Sequence, residues 1–518
     1  MIWTLARKEL LSNLLTLRLG ITFLFAVGLI ALTSIIGSMD FSQRAADYDD
    51  RVRDVRHDLE KATVFAEVGP HVVARPDPLS IFSRGVDRNG GQFVWIGIDW
   101  VGASMGRLGS ADNNLMKSLV EIDFVAVVML LLSFLAVVLG FDAVCGERES
   151  GTLRQLLTNP VPRGAVIWAK LLGGTISLCL PLIVAFGLAV LIITVNPDVD
   201  LGSMEWLRLG LLLLLSCLFL AQVFAMSLVV STHTRSPSTS LVICLFGWLF
   251  LNIGFDSALP SLSRYGVQEN TFQQFLDELR AERDEAIAQW EANNPPPPDR
   301  YMRAIEVGGP RIRYGHPRGY EWRARRNAYA LEQHLDSARR GHQFQMVNYA
   351  PLAREVELVD EWAILSPFTN YRALSKQLAR STLAHKFRLR QAGHDYRDTY
   401  IDYLRGHGAF ASRRWFTDDP VDQEPLLTDP ESLTPEMLAS DSPFMQARMA
   451  WVQDQETLAA ADSRRQLDLT SMPRFGVDWR EPLSQTLRHM TPGLIVLFLL
   501  LGGSTLLAIH GFLRYDPQ

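Results

Sequence analysis

The stretch that decides the fold is Cys145-Gly-Glu-Arg-Glu-Ser-Gly-Thr-Leu-Arg-Gln-Leu-Leu-Thr-Asn-Pro-Val-Pro-Arg163, which runs on to Lys170. Apolar runs flank it, Phe124–Val144 before and Ile167–Val195 after, so it reads as a short loop at one membrane face. Glu147, Arg148 and Glu149 cannot stay in hydrocarbon and end the preceding span. Gly151 breaks the chain, and Thr152 is placed to cap a short helix over Leu153 to Leu157. That helix puts Leu153, Leu156 and Leu157 on one face and Arg154 and Gln155 on the other. Pro160 and Pro162 stop it, and Arg163 and Lys170 flank entry into the next span. A small amphipathic rod tied at both ends to spans is what a soluble partner needs to push on; the plainer reading is a solvated reversal of the chain.

Working outward, the 518 residues are 48% hydrophobic, with further apolar runs at Leu19–Gly37, Leu207–Val230, Leu241–Ala258 and Pro492–Leu513. The predicted fold class is therefore mainly α: a polytopic membrane protein with six transmembrane helices and a mixed, mostly helical extracytoplasmic domain. Arg7, Lys8 and Arg18 precede the first span, and the loop quoted above carries Arg148, Arg154, Arg163 and Lys170. The loop 196–205 holds Asp198, Asp200 and Glu205 without Lys or Arg. The short-loop asymmetry puts both termini in the cytoplasm, in a bacterial inner membrane. Residues 1–16, with Trp3, Leu5, Leu10 and Leu11 beside Arg7, Lys8 and Glu9, suit a helix lying on the membrane surface.

Two segments are left outside. Residues 38–123 open with a charged helical run, Gln43 to Ala66, then turn through Pro76-Asp77-Pro78 and a Gly-rich turn at 85–91, with one or two strands around Phe93 to Ile98. The insert 259–489 reads as helices over 272–293, 321–342, 371–393, 395–405 and 435–467, with a polyproline break at Pro295–Pro298 and an acidic, Pro-rich loop at 416–434. The chain thus divides into 1–37 (surface helix and first span), 38–123, 124–258 (spans two to five, with the loop 145–166), 259–489, and 490–518 (last span and tail).

The run from Glu147 to Arg163 resembles the first cytoplasmic loop of ABC type-2 transporter permeases, because acidic cluster, Gly-Thr-Leu, Leu-Leu, Pro and Arg fall in that family's order. The stretches Arg75-Pro-Asp-Pro-Leu-Ser-Ile-Phe-Ser-Arg-Gly85 and Leu365-Ser-Pro-Phe368 resemble a bacterial subgroup of that family with a large extracytoplasmic insert between the fifth and sixth spans. The resemblance implies a coupling helix that docks into an ATPase subunit, with Glu147, Arg148, Gly151, Thr152, Leu153, Arg154, Leu157, Pro160 and Arg163 as coupling residues. On that reading Leu153 and Leu157 anchor the helix in the partner, while Glu147 and Arg154 make rim contacts. It further implies two copies of a cytoplasmic ATP-binding subunit holding ATP and Mg, and a second permease copy or sister permease.

Other chemistry is not indicated. The four cysteines, Cys145, Cys179, Cys217 and Cys244, lie in or beside apolar runs, so no disulfide framework or zinc spacing arises. No Walker lysine loop, His-Glu-x-x-His or Gly-x-Ser-x-Gly occurs, so no enzymatic activity or cofactor is expected of this chain. His385, His394 and His407 near Asp395, Asp398 and Asp402 lack metal-ligand spacing and read as helix faces. A net charge of −6 gives nucleic acid no purchase; membrane lipid is the expected surroundings. Asn252, Gln222 and His510 are the polar residues within spans, each read as an interhelical or interfacial group, and no Asp or Glu stands mid-span. Energy must then come from outside the chain. The expected function is the permease subunit of an ATP-driven exporter; the alternative is a non-transporting scaffold that relays ATPase motion to an envelope partner.

Overall fold

The computed structural model describes residues 2–69, 71–85, 92–97, 101–104, 122–157, 162–262, 269–302, 304–307, 312–315, 317–412, 415, 432–461, 466–476 and 479–514. The chain begins with α1 (Ile2–Leu14) and α2 (Leu17–Lys61), passes strands β1 (His71–Ala74), β2 (Gln92–Ile96) and β3 (Val101–Ser104), and enters α3 (Phe124–Glu149). The short α4 (Thr152–Leu157), α5 (Arg163–Val195), α6 (Ser203–His233) and α7 (Pro237–Leu259) follow. The insert contains α8 (Glu269–Asn293), strands β4 (Ala304–Val307) and β5 (Ile312–Gly315), α9 (Pro317–Ala363), α10 (Pro367–Leu378), α11 (Leu383–Gly406) and α12 (Pro443–Ala461), and leads to α13 (Leu483–Leu513). Six of these helices, α2, α3, α5, α6, α7 and α13, are long and apolar enough to cross a membrane. This is the expected mainly α, polytopic architecture: helices that satisfy their own backbone hydrogen bonds are what an apolar solvent permits.

Four expectations change in detail. The helix of the first span does not stop at Gly37. Nothing between Ser38 and Lys61 is Gly or Pro, and pairs such as Arg44–Asp40 at 3.1 Å support the next turns, so α2 runs 45 residues without a break. Three strands form where one or two were expected, β1 antiparallel to β2 and β2 to β3, with Val72 opposite Val94 and Val94 opposite Ala103. The helix expected over 371–393 is two helices, parted at Arg380, whose φ is +53°, before Thr382 caps α11 by accepting the His385 N–H at 3.3 Å. The helix expected over 435–467 is shorter, Pro443–Ala461, because Ser442 caps its start, accepting the Met445 N–H at 3.0 Å. Gly90, Gly91, Pro160 and most of the loop 416–434 lie outside the described residues.

One apolar core joins the spans to parts of both outer segments. Leu79, Ile81 and Phe82 of the first segment and Phe368, Tyr371, Leu374 and Leu378 of α10 are buried in the same cluster as the spans. A second, smaller core contains Ala62 and Val68 with Leu335, Tyr400, Ile401, Leu404, Ala409 and Phe410, so the two outer segments share one interior. The aromatic stripe read from α11 supplies Tyr400 and Leu404, both fully buried.

The motifs Arg75–Gly85 and Leu365–Phe368 become a collar around one end of the bundle. Asp77 caps a short helix at Pro78–Ile81, accepting the Leu79 N–H at 3.1 Å, and its other oxygen meets Arg380 at 3.0 Å. Phe82 packs with Phe124 and Phe186, ring centres 5.4 to 5.7 Å apart. Gly85 has φ +48°, and a Cβ there would lie 2.2 Å from the Ser381 carbonyl oxygen, so only glycine fits. Ser366 caps α10 and donates to the Leu251 carbonyl at 3.0 Å, Asn370 donates to Gly493 at 2.9 Å, and Tyr371 meets Ser216 at 2.7 Å. Arg208, fully buried, donates to the carbonyls of Leu378 and Glu481 and to the Thr486 hydroxyl, at 3.0, 3.1 and 3.1 Å. Each bond satisfies a group that hydrocarbon would leave bare.

Candidate coupling site at the end opposite the collar

At the other end, α3 unwinds over 141–144 before its last turn, Cys145–Glu149. The freed backbone groups are taken by neighbouring helices. Ser231 of α6 accepts the N–H groups of Val144 and Cys145 at 3.0 and 3.2 Å, and Ser240 of α7 donates to the Phe141 carbonyl at 2.7 Å. An elbow built on two other spans cannot shift without them.

Charge fixes the elbow further. Lys170, 3% exposed, places its Nζ 2.8 Å from Glu147 Oε1 and 3.1 Å from Glu9 Oε1, so one buried ammonium joins the elbow, α5 and the surface helix α1. Beside it, a Cβ on Gly173 would stand 2.7 Å from the Glu9 Cβ and 2.9 Å from the Ala6 carbonyl oxygen; the missing side chain lets α1 press against α5. Asn13 donates to Ser177 at 3.3 Å along the same seam. The outer face of α1 leaves Trp3 65% exposed, as a membrane-surface helix requires. Arg148 reaches sideways instead, donating to the carbonyls of Thr234 and Thr232 at 3.2 and 3.4 Å, at the turn between α6 and α7.

Several residues expected to meet a partner have partners within the chain. Glu147, expected at the rim of a partner, and Arg148 are both engaged inside the chain, because a charge beside apolar helices is stable only when paired. Leu153, expected to anchor the helix in a partner, is fully buried in the main core and fastens α4 to its own bundle. Thr152 does not cap α4. It is the first residue of the helix, and its hydroxyl donates back to the Glu147 carbonyl at 3.3 Å, beside Ser150 at 2.9 Å. Gly151 does turn the chain, with φ +74°. The backbones of Arg154 and Leu157 lie in α4, while their side chains fall outside the described residues. Pro162, the residue before α5, adopts φ −57°, and Arg163 donates to the Leu513 carbonyl at 3.1 Å, so α13 ends at this face too. Among the described side chains of α4, Thr152 and Gln155 are exposed, next to Glu149 and Ser150.

Sequence reasoning missed Glu9, Ser231, Thr232 and Thr234, since their partners lie 84 to 161 residues away. A signal for Lys170 existed, a cation seven residues inside a span-length helix, which must find an anion. Of the in-span polar residues, Gln222 donates across helices to Ser504 at 3.3 Å, as read. Asn252 lies instead on a cavity wall near the collar.

The family described as ABC-2 family transporter protein matches residues 3–392. Two curated relatives carry the name probable ABC transporter permease protein NosY. The protein of Pseudomonas aeruginosa is 34% identical over 173 residues, 32% of this chain and 60% of the relative. That of Stutzerimonas stutzeri is 31% identical over 169 residues, 32% of this chain and 59% of the relative. The chain thus spans about three fifths of the length of the curated relatives it matches. With six span-length helices and a match over residues 3–392, the chain belongs to the ABC-2 transporter family.

Proposed function

We propose that this chain is the membrane-spanning permease subunit of an ATP-driven exporter, moved by a separate cytoplasmic ATP-binding subunit that docks on α4. The observation that carries this is the three-way attachment beneath α4: Lys170 of α5 to α1 and the end of α3, Arg148 to the turn between α6 and α7, and Ser231 to the broken end of α3. A push on the exposed Thr152 and Gln155 reaches these helices at once. Family membership and the name of the NosY relatives support the same reading.

On this reading the α4 end faces the cytoplasm with both termini, in a bacterial inner membrane, and residues 38–123 and 259–489 stand outside. The ATP-binding subunit is present in two copies and holds the ATP and Mg. Gly151 sets the corner, Thr152, Arg154 and Leu157 meet the partner, Glu147, Arg148 and Leu153 transmit, and Pro160 and Arg163 bound the loop. A second permease copy or sister permease completes the path, because six spans with so few polar residues cannot enclose one. The test replaces Thr152 and Gln155 together by Trp and measures the ATP-binding subunit that co-purifies in detergent. Recovery should fall about ten-fold at unchanged thermal stability, the loss expected when bulk is placed at the centre of an interface. Undiminished recovery would place the docking surface elsewhere.

A further inference from the structure

One turn of the segment 259–489, the link from α9 into α10, returns among the spans, and three neighbours fix its depth. Phe368 meets the Phe219 ring edge-on at 5.2 Å, and Tyr371 stacks on that ring at 4.4 Å. Phe219 lies near the middle of α6 (Ser203–His233), so a helix that crosses a membrane carries it close to the midplane. Asn370 donates to the Gly493 carbonyl at 2.9 Å, about 15 Å along α13 from its start at Leu483. Ser366 donates to the Leu251 carbonyl at 3.0 Å, about 12 Å inside the end of α7 at Leu259. That bond falls on a π-helical turn of α7, Phe250–Gly254, the kind of widened ladder that an outside side chain can enter.

The residues suit that depth. Between Glu361 and Arg372 none is charged, and Arg372 pairs with Asp256, which stands nearer the end of α7 than Leu251 does. Charge stops where the turn enters and resumes where it leaves, as hydrocarbon demands. The irregular backbone is answered within the chain. The Leu365 N–H donates to the Trp362 carbonyl at 3.1 Å, and the Thr369 hydroxyl to the Ala363 carbonyl at 2.5 Å. Such a turn survives at membrane depth only with partners of this kind. Ser366 to Tyr371 are buried against the spans, whereas Trp362 and Leu365 are 50% and 55% exposed. Beside Leu251, α7 likewise exposes Phe250 and Ile253, so one apolar surface of a spanning helix continues at this level. We propose that residues 362–371 form a re-entrant turn inside the hydrocarbon layer, with Trp362 and Leu365 in contact with lipid acyl chains.

The proposal needs only the spans, so neither nucleotide nor the ATP-binding subunit enters its test. The full chain carrying p-benzoylphenylalanine in place of Leu365 is reconstituted in dioleoyl phosphatidylcholine vesicles and irradiated, and its adducts are read by mass spectrometry. The same probe replacing Leu499, exposed on the spanning α13, and Val347, exposed about 22 Å back along α9 from Trp362, supplies the two references. Position 365 should give acyl-chain adducts within about two-fold of position 499 and at least about ten-fold above position 347, as sites on either side of the hydrocarbon boundary require. A yield no higher than at position 347 would overturn the proposal. Adducts confined to the lipid head group would also overturn it, by placing the turn at the surface. A cross-link to a second copy of the chain in place of lipid would assign Trp362 and Leu365 to a subunit contact and overturn the lipid contact. Should the probe at position 365 lower the melting temperature, the same measurement is made with it replacing Trp362.

Discussion

Each end of the bundle is organised around one buried cation, and the two cations are used differently. Lys170 sits between two carboxylates, those of Glu9 and Glu147. Arg208 sits among two carbonyls and a hydroxyl, those of Leu378, Glu481 and Thr486. An ammonium on a four-carbon stem is a point charge that keeps its partners while they slide. A guanidinium is a planar fork whose bonds fail together when its partners move. The glycines follow suit. Gly151 has open space where a Cβ would stand, whereas Gly85 is walled in by Ser381. At its central cation the α4 end thus has contacts that tolerate displacement, and the collar end has contacts that do not. That is the arrangement expected of a molecule driven at one end and held at the other.

The comparison breaks most sharply at Arg208. Replacing it by Ala leaves two carbonyls and a hydroxyl unpaired in the interior, at a cost of about 4 kcal/mol. Arg208→Lys should recover less than half of this, since one ammonium cannot serve the same three acceptors. Thermal melting of the purified chain decides; full recovery by Lys would mean that the fork geometry is irrelevant and the contrast with Lys170 empty.

A pH titration sharpens the contrast, because the collar borders a buried imidazole. His385 is 4% exposed, against the Trp479 ring at 4.8 Å, and burial, with Arg380, Arg480 and Arg388 nearby, pushes its pKa down from 6.5 to about 4, against an opposing pull from Asp77. The folded state keeps this ring neutral, while the unfolded chain takes up a proton below pH 6.5. Stability is therefore intact above pH 6.5 and falls between there and pH 4, by about 2 kcal/mol at pH 5. His385→Gln should flatten that slope in melts at pH 5 and 7.5. An unchanged slope would leave His394, which burial lowers to about 3, as the titrating group.

The smallest effect is expected at Gly151. Ala meets no neighbour there and bears only the strain of a positive φ, about 1 kcal/mol. Melting should barely move, and recovery of the ATP-binding subunit should fall more than stability does. A large loss of stability would show that the α4 end is as tightly built as the collar.

The spans were legible because hydrocarbon imposes long apolar runs, and the α4 loop because charge, Gly and Pro each act locally. The burial of Leu153 in its own bundle was not legible. A leucine on the apolar face of a short helix packs equally well on a partner or on its own bundle, and nothing within the loop distinguishes the two. The internal partners of Glu147 and Arg148 were not legible either, since Lys170 and the carbonyls of Thr232 and Thr234 are brought to them only by packing. The break at Arg380 was hidden because no Gly or Pro between Tyr371 and Ala392 marks it.

The unbroken run of α2 has a mechanical consequence. At 1.5 Å per residue its 45 residues extend about 67 Å, more than twice the thickness of about 30 Å that a hydrocarbon layer needs. About half of it therefore stands clear of the membrane, ending at Lys61 beside Ala62 and the second core. A rod of that length is a lever. Tilting its buried half by about ten degrees would carry the far tip through about 12 Å. The second core, fastened at that tip through Ala62 and Val68, would swing with it, so small rearrangements among the spans would arrive there as large ones.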